Sequence, residues 1–289
     1  MIVRLRGLVV LLALVTVLAW PASAQEMVGE SATARTNPIV FVFIAGYGTN
    51  LATASRLFAP LQAALVARNP DVSFVRYSYT GTNLSGCAAT PSAYRPSDTA
   101  QDIEVSKRLL RETLSALQDG CEMDRIVVVG HSLGGLIAFQ TLAENPVSRV
   151  TDVVAIDSPL GGVPMPLIRT CIDAGLCTDG AVVAYLAGLY GGWGETATDN
   201  ATRAVALAST ATRVTAWGNQ SDCYYMVALC NSFSRTLLAG YDARQTQWLG
   251  IARTVHKDYP FAPYPWNIPA SHTAVLIHSA AEIAADLLP

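Results

Sequence analysis

The run Gly130-His131-Ser132-Leu133-Gly134 sets one hydroxyl between two glycines. The β-branched stretch Ile126–Val129 before it reads as a buried strand, and Leu136–Leu142 after it as a helix. Turning a strand into a helix within one residue forces Ser132 into a strained backbone, so Gly130 and Gly134 must be nearly side-chain-free. Such strain would lift the Ser132 hydroxyl above the sheet, over a helix N-terminus that favours developing negative charge. Strand, G-x-S-x-G, helix is the context in which a serine serves as a nucleophile.

A serine hydroxyl is a poor nucleophile until a base takes its proton, and that base needs a partner to set its tautomer. His131 adjoins Ser132 and is expected to point away across the turn, while His278 falls in the last apolar segment and is expected to pack. Two bases stay open. His272 lies in a loop before Ala274-Val275-Leu276-Ile277, where a late histidine could swing back over the sheet, and His256 follows a short strand candidate. Two acids also stay open. Asp222 follows the strand candidate Val214–Trp217 and would be steadied by a short disulfide from Cys223 to Cys230, whereas Asp157 ends the strand after that of the nucleophile.

The elements around these residues alternate. Ile39–Ile44 is a central-strand candidate, a helical period spans Ala52–Ala67, and Val72–Tyr77 reads as a strand. Residues 80–96 are expected to be loop, with Ser97 or Asp98 capping a long amphipathic helix through Leu117. Val150–Ile156 is another buried strand. Residues 163–212 are apolar, glycine-interrupted and without strand character, and a closing helix is expected from about Ser279. Strands alternating with helices predict a mostly parallel sheet covered on both faces, with the site at the carboxyl ends of the strands.

The first residues fall outside this pattern. Arg4 and Arg6, the apolar run Leu8–Trp20 and Ala22-Ser23-Ala24 have the layout of a signal peptide cleaved near Ala24, followed by a polar leader over 25–37. The apolar run is shorter than the ~20 residues a bilayer span needs, so no transmembrane anchor is expected. Export implies an oxidising compartment, outside the cell or in the periplasm. There six cysteines are expected to pair, and proximity suggests Cys87 with Cys121, Cys171 with Cys177, and Cys223 with Cys230. No spacing resembles a metal site. With a net charge of −3 and no Lys or Arg cluster, nucleic acid is excluded as a partner.

The motif Gly130–Gly135, the chain order serine, acid, histidine, and Asp157-Ser158-Pro159 after the next strand together resemble the α/β-hydrolase superfamily, most of all its secreted bacterial lipases and esterases. The resemblance runs from about Pro38 to Leu288. It implies an α/β fold with a mostly parallel central sheet of about six strands, helices on both faces, and a small cap inserted at about 163–212 in a single domain over 38–289. The family's first two antiparallel strands find no counterpart in residues 25–37. By this likeness Ser132 is the nucleophile, His272 the base and Asp222 the acid, and the backbone N–H groups of Tyr47 and Leu133 form the oxyanion hole. Family lipases often carry His-Gly where this chain has Ala45-Gly46, so Tyr47 is matched less closely than Leu133. The implied activity is cofactor-free hydrolysis of carboxylic esters. Tyr185, Leu189, Tyr190 and Trp193 of the cap would line the acyl pocket, and a transient lipid-interface contact would suit a lipase. The same residues would serve acyl transfer, thioester hydrolysis or polyester cleavage, and a secreted binding protein with a dead site is the non-enzymatic alternative. Acyl-chain preference and oligomeric state stay open.

Overall fold

The computed structural model describes residues 38–86, 88–160, 162, 173, 180–190, 210–219, 221–222, 253–259 and 268–288. Residues 36–289 form one compact unit. The expected signal peptide and leader, five of the six cysteines, Trp193 and most of the expected cap lie outside the described residues.

Six strands make one sheet: β1 (Ile39–Ile44), β2 (Ser73–Arg76), β5 (Arg125–His131), β6 (Val150–Ile156), β7 (Arg213–Asn219) and β8 (Arg253–Lys257). Their order is β2-β1-β5-β6-β7-β8, and every neighbouring pair is parallel, as the alternation of strands and helices predicts. Parallel strands need crossovers, and the helices that make them cover both faces. Along β1 the side chains alternate: Val40, Val42 and Ile44 join one core, Phe41 and Phe43 the other. The first core packs against α2 (Ile103–Gly120), α3 (Leu133–Glu144) and α4 (Ala181–Tyr190). The second packs against α1 (Leu51–Arg68), α5 (Ile268–His278) and α6 (Ala280–Leu287). Both faces being buried explains why β1 and the start of β5 read as unbroken apolar runs. At the opposite end of the sheet from the site, buried Asp152 on β6 meets Arg213 at 2.6 Å and Arg125 at 3.4 Å. Arg213 also bonds Asp286 of α6, tying that helix to the strand starts.

Three local expectations are corrected. Residues 80–96 are not all loop: β3 (Thr82–Ser85) and β4 (Ala88–Pro91) pair as an antiparallel hairpin. Short and polar, these strands carry too little apolar alternation to register in sequence. The long helix α2 starts later than expected and is capped by Asp102, whose carboxylate accepts from the N–H of Glu104 at 2.9 Å. Asp98 instead accepts from Arg95 N–H at 2.7 Å and opens a separate 3-10 turn at Pro96–Ala100. Finally, His272 sits inside α5, not in a loop, and that helix runs up to Ser279, which precedes α6. In sequence, Pro269 just before His272 looks like a helix breaker. Proline lacks only an N–H that a helix's first turn leaves unused, so it opens α5 rather than extending the loop.

Among the described residues no helix is long and apolar enough to cross a membrane, and no group of three His, Cys, Asp or Glu side chains could hold a metal ion. Cys121 is disulfide-bonded; its suggested partner, Cys87, lies outside the described residues.

Candidate active site

At the carboxyl end of β5 the chain turns into α3 through Ser132 alone, at φ 55° and ψ −127°. Positive φ costs a non-glycine residue on the order of 1–3 kcal/mol and persists only where the surroundings impose it. Here they do. A Cβ on Gly130 would overlap the backbone of Gly134 and Gly135, and one on Gly134 would overlap the carbonyl of Ile44 at the end of β1. Ser132 N–H donates to Ile156 O of β6 at 2.8 Å. The turn after β1 presses on the nucleophile candidate itself: a Cβ on Gly46 would stand 2.6 Å from Ser132 Cβ and 3.0 Å from its Oγ.

The two ends of β7 and α5 bring an acid and a base together. Asp222 lies in the turn past β7, where its N–H donates to Asn219 O at 3.0 Å. Its Oδ2 is 2.5 Å from Nδ1 of His272, and its Oδ1 accepts from Ser271 Oγ at 3.3 Å. A carboxylate facing Nδ1 makes that nitrogen the donor, which leaves Nε2 as the basic atom of the neutral ring. His272 is buried and is held beside the elbow by its neighbour in the motif: His131 Nε2 meets the His272 carbonyl at 2.8 Å. A carbonyl only accepts, so Nε2 of His131 carries the proton. Burial, then the nearness of His272, pushes the His131 pKa down to about 3.

Asp157 and His256 stand elsewhere in this scheme. Asp157 shares with Ser132 the distinction of positive φ (45°) outside glycine among the described residues. Its Oδ1 accepts the backbone N–H of Asn219 at 2.6 Å, and its own N–H donates to Trp217 O. The carboxylate therefore braces the end of β7. His256 lies within β8, opposite Gly218 in the register, and faces no carboxylate among the described residues. Burial lowers its pKa.

One residue central to the arrangement has no counterpart in the sequence reading. The Asn219 side chain donates to Ser271 O at 2.9 Å and accepts from Tyr259 N–H at 3.0 Å and Ser221 N–H at 3.2 Å. It thus joins the ends of β7 and β8 to the residue before His272. An Asn after a strand signals a turn; nothing in the sequence marks this one as part of the site.

Of the pocket candidates, Leu189 and Tyr185 both lie on α4: Leu189 is buried in the first core, and Tyr185 donates to Gln140 Oε1 of α3 at 2.7 Å. The Tyr190 side chain and Trp193 lie outside the described residues. Tyr47 is half-buried in the turn after β1, and Leu133 opens α3.

A model of the alpha/beta hydrolase family matches residues 41–286. Among solved structures, the mature lipase BlEst2 of Bacillus licheniformis superposes with a TM-score of 0.52 at 12% identity, over 90% of this chain and 94% of that one. Est1E of Butyrivibrio proteoclasticus, solved with ferulic acid bound, superposes with a TM-score of 0.51 at 11% identity, over 87% and 89% respectively. At such identities the likeness is one of fold.

Proposed function

The chain belongs to the alpha/beta hydrolase family, and on that premise we propose that it is an exported serine hydrolase that cleaves carboxylic esters of the lipase or esterase kind. Ser132 attacks the ester carbonyl while His272 Nε2 takes its proton. Asp222, 2.5 Å from Nδ1, holds the ring in the required tautomer and stabilises the imidazolium that forms. The tetrahedral oxyanion is received by the N–H groups of Leu133 and Tyr47. His272 returns the proton to the departing alcohol, and water then resolves the acyl-enzyme by the same path. No cofactor is required.

The observation that carries this reading is the joining of three segments distant in sequence: a strained serine, and an acid–base pair whose histidine is bonded through its carbonyl to the residue beside that serine. A fluorophosphonate probe tests it. Wild type is expected to be labelled at Ser132 and Ser132→Ala not at all; folded wild type that resists labelling overturns the reading. Rates across a series of ester chain lengths, in solution and at an oil–water interface, then separate esterase from lipase. Export is part of the same proposal: the amino terminus found on secreted protein should begin at Gln25, with Cys87–Cys121, Cys171–Cys177 and Cys223–Cys230 paired in peptide maps.

A further inference from the structure

The turn that carries Tyr47 is gripped by hydroxyls. Tyr79 Oη donates to Ala45 O at 2.7 Å, and Thr49 Oγ1 donates to Gly46 O at 2.7 Å. The N–H of Gly48 donates to Thr99 Oγ1 at 2.9 Å, and that hydroxyl spends its own hydrogen on Pro96 O at 2.6 Å. Thr49 has likewise used its single hydrogen, so in its 3.3 Å contact with Tyr94 Oη the phenol is the donor. Burial raises the Tyr94 pKa, which keeps that proton in place.

These bonds bear on chemistry because of the peptide plane. In a trans peptide the C=O and the following N–H lie in one plane and point opposite ways, and no peptide among the described residues is cis. Fixing the Gly46 carbonyl on the Thr49 side therefore fixes the direction of the Tyr47 N–H on the other. The same peptide starts at Gly46, the residue that packs directly on Ser132. Glycine gives this orientation little steric preference of its own, so the bond from Thr49 to the Gly46 carbonyl bears on it directly.

We propose that Thr49, backed by Tyr94, is the positioning residue of the oxyanion hole, its hydroxyl locking the Gly46–Tyr47 peptide so that the Tyr47 N–H meets the charge developing on the ester oxygen. The inference deepens the ester-hydrolase reading and rests on it. Thr49 touches no reacting atom. It acts by removing a rotation that would otherwise be arrested during the reaction, and preorganised donors owe their effect to costing nothing at that moment.

Thr49→Val keeps the side-chain shape and deletes the hydroxyl, and Thr49→Ser keeps the hydroxyl. Thr49→Val is expected to lower kcat by about tenfold or more, short of the ~10²–10³ lost when an oxyanion donor is removed outright. KM should stay within about twofold, because the interaction strengthens only in the transition state. Thr49→Ser should recover most of the rate. A merely structural role would move neither the kcat–KM split nor the serine rescue. The proposal is overturned if Thr49→Val matches wild type, if KM rises in step with the fall in rate, or if Thr49→Ser is as impaired as Thr49→Val. Should Thr49→Val melt below the assay temperature, Tyr94→Phe decides: kcat lower by about threefold supports the lock, and an unchanged kcat overturns it. Fluorophosphonate labelling of wild type separates the two levels. An unlabelled wild type sinks the functional reading, whereas a labelled, active wild type with an indifferent Thr49 sinks only this inference.

Discussion

His131 and His272 stand ring beside ring, 4.8 Å between centroids, with Nε2 of His131 on the backbone carbonyl of His272. The residue before the nucleophile candidate therefore secures the helix that carries the candidate base. The arrangement works only with a neutral His131, since a second positive charge would be buried next to His272.

Stability should follow from that. The His131 pKa falls from 6.5 to about 3 on folding, so between these values the unfolded chain binds the proton that the folded one refuses. The contribution is whole above pH 6.5 and is lost progressively as pH falls towards 3, on the order of a few kcal/mol in all. Melting temperatures of wild type should drop across that window. His131→Asn keeps a donor but cannot titrate, and its melting temperature should drop less over the same range.

The two carboxylates should separate cleanly. Asp222→Asn deprives His272 Nδ1 of its charged partner and should lower kcat by ~10⁴, as loss of the acid does in related triads. Asp157→Asn can still accept the Asn219 N–H through its amide oxygen, so its cost should stay below about tenfold. Steady-state rates on one ester check both. A larger loss at position 157 would reverse the assignment.

Gly46→Ala puts a methyl group 2.6 Å from Ser132 Cβ, and something has to shift. Overpacking of this sort costs about 1–3 kcal/mol, while moving the serine by ~1 Å can cost ~10² in rate. We expect a folded variant with a modestly lowered melting temperature and kcat reduced by about 10². Circular dichroism and a rate measurement distinguish this from plain unfolding.

Asn219→Ala strips partners from the backbone groups of Ser271, Tyr259 and Ser221 at once. Each buried group left unsatisfied costs about 1–3 kcal/mol, so urea unfolding should show a loss of at least ~2 kcal/mol. Because the same bonds set His272 against Asp222, kcat should fall beyond what the residual folded fraction explains.

Much of this was legible in one dimension. The apolar runs at 39–44, 126–129 and 153–156 declare buried parallel strands, because burial on both faces favours continuous hydrophobicity. Gly130 and Gly134 around Ser132 declare a turn too tight for side chains, and the structure shows the backbone overlaps that any Cβ would make. Weaker signals misled. The polar hairpin at 82–91 reads as loop, Ser97 or Asp98 reads as the cap that Asp102 supplies, and His272 reads as a loop residue where the chain is helical.

By itself, then, the sequence determined the fold class and the position of the candidate nucleophile, since both depend on neighbours within a few residues, through period, turn sterics and glycine. Which carboxylate meets which imidazole was decided only in three dimensions. Asp157 and Asp222 both follow strands, and His256 and His272 both come late in the chain. The choice turns on Asn219 drawing the ends of β7, β8 and α5 together, while Asp157 is engaged by that residue's backbone. Contacts across 52 and 62 residues of chain leave no periodicity to read, because they are set by the packing of whole elements and not by any local pattern.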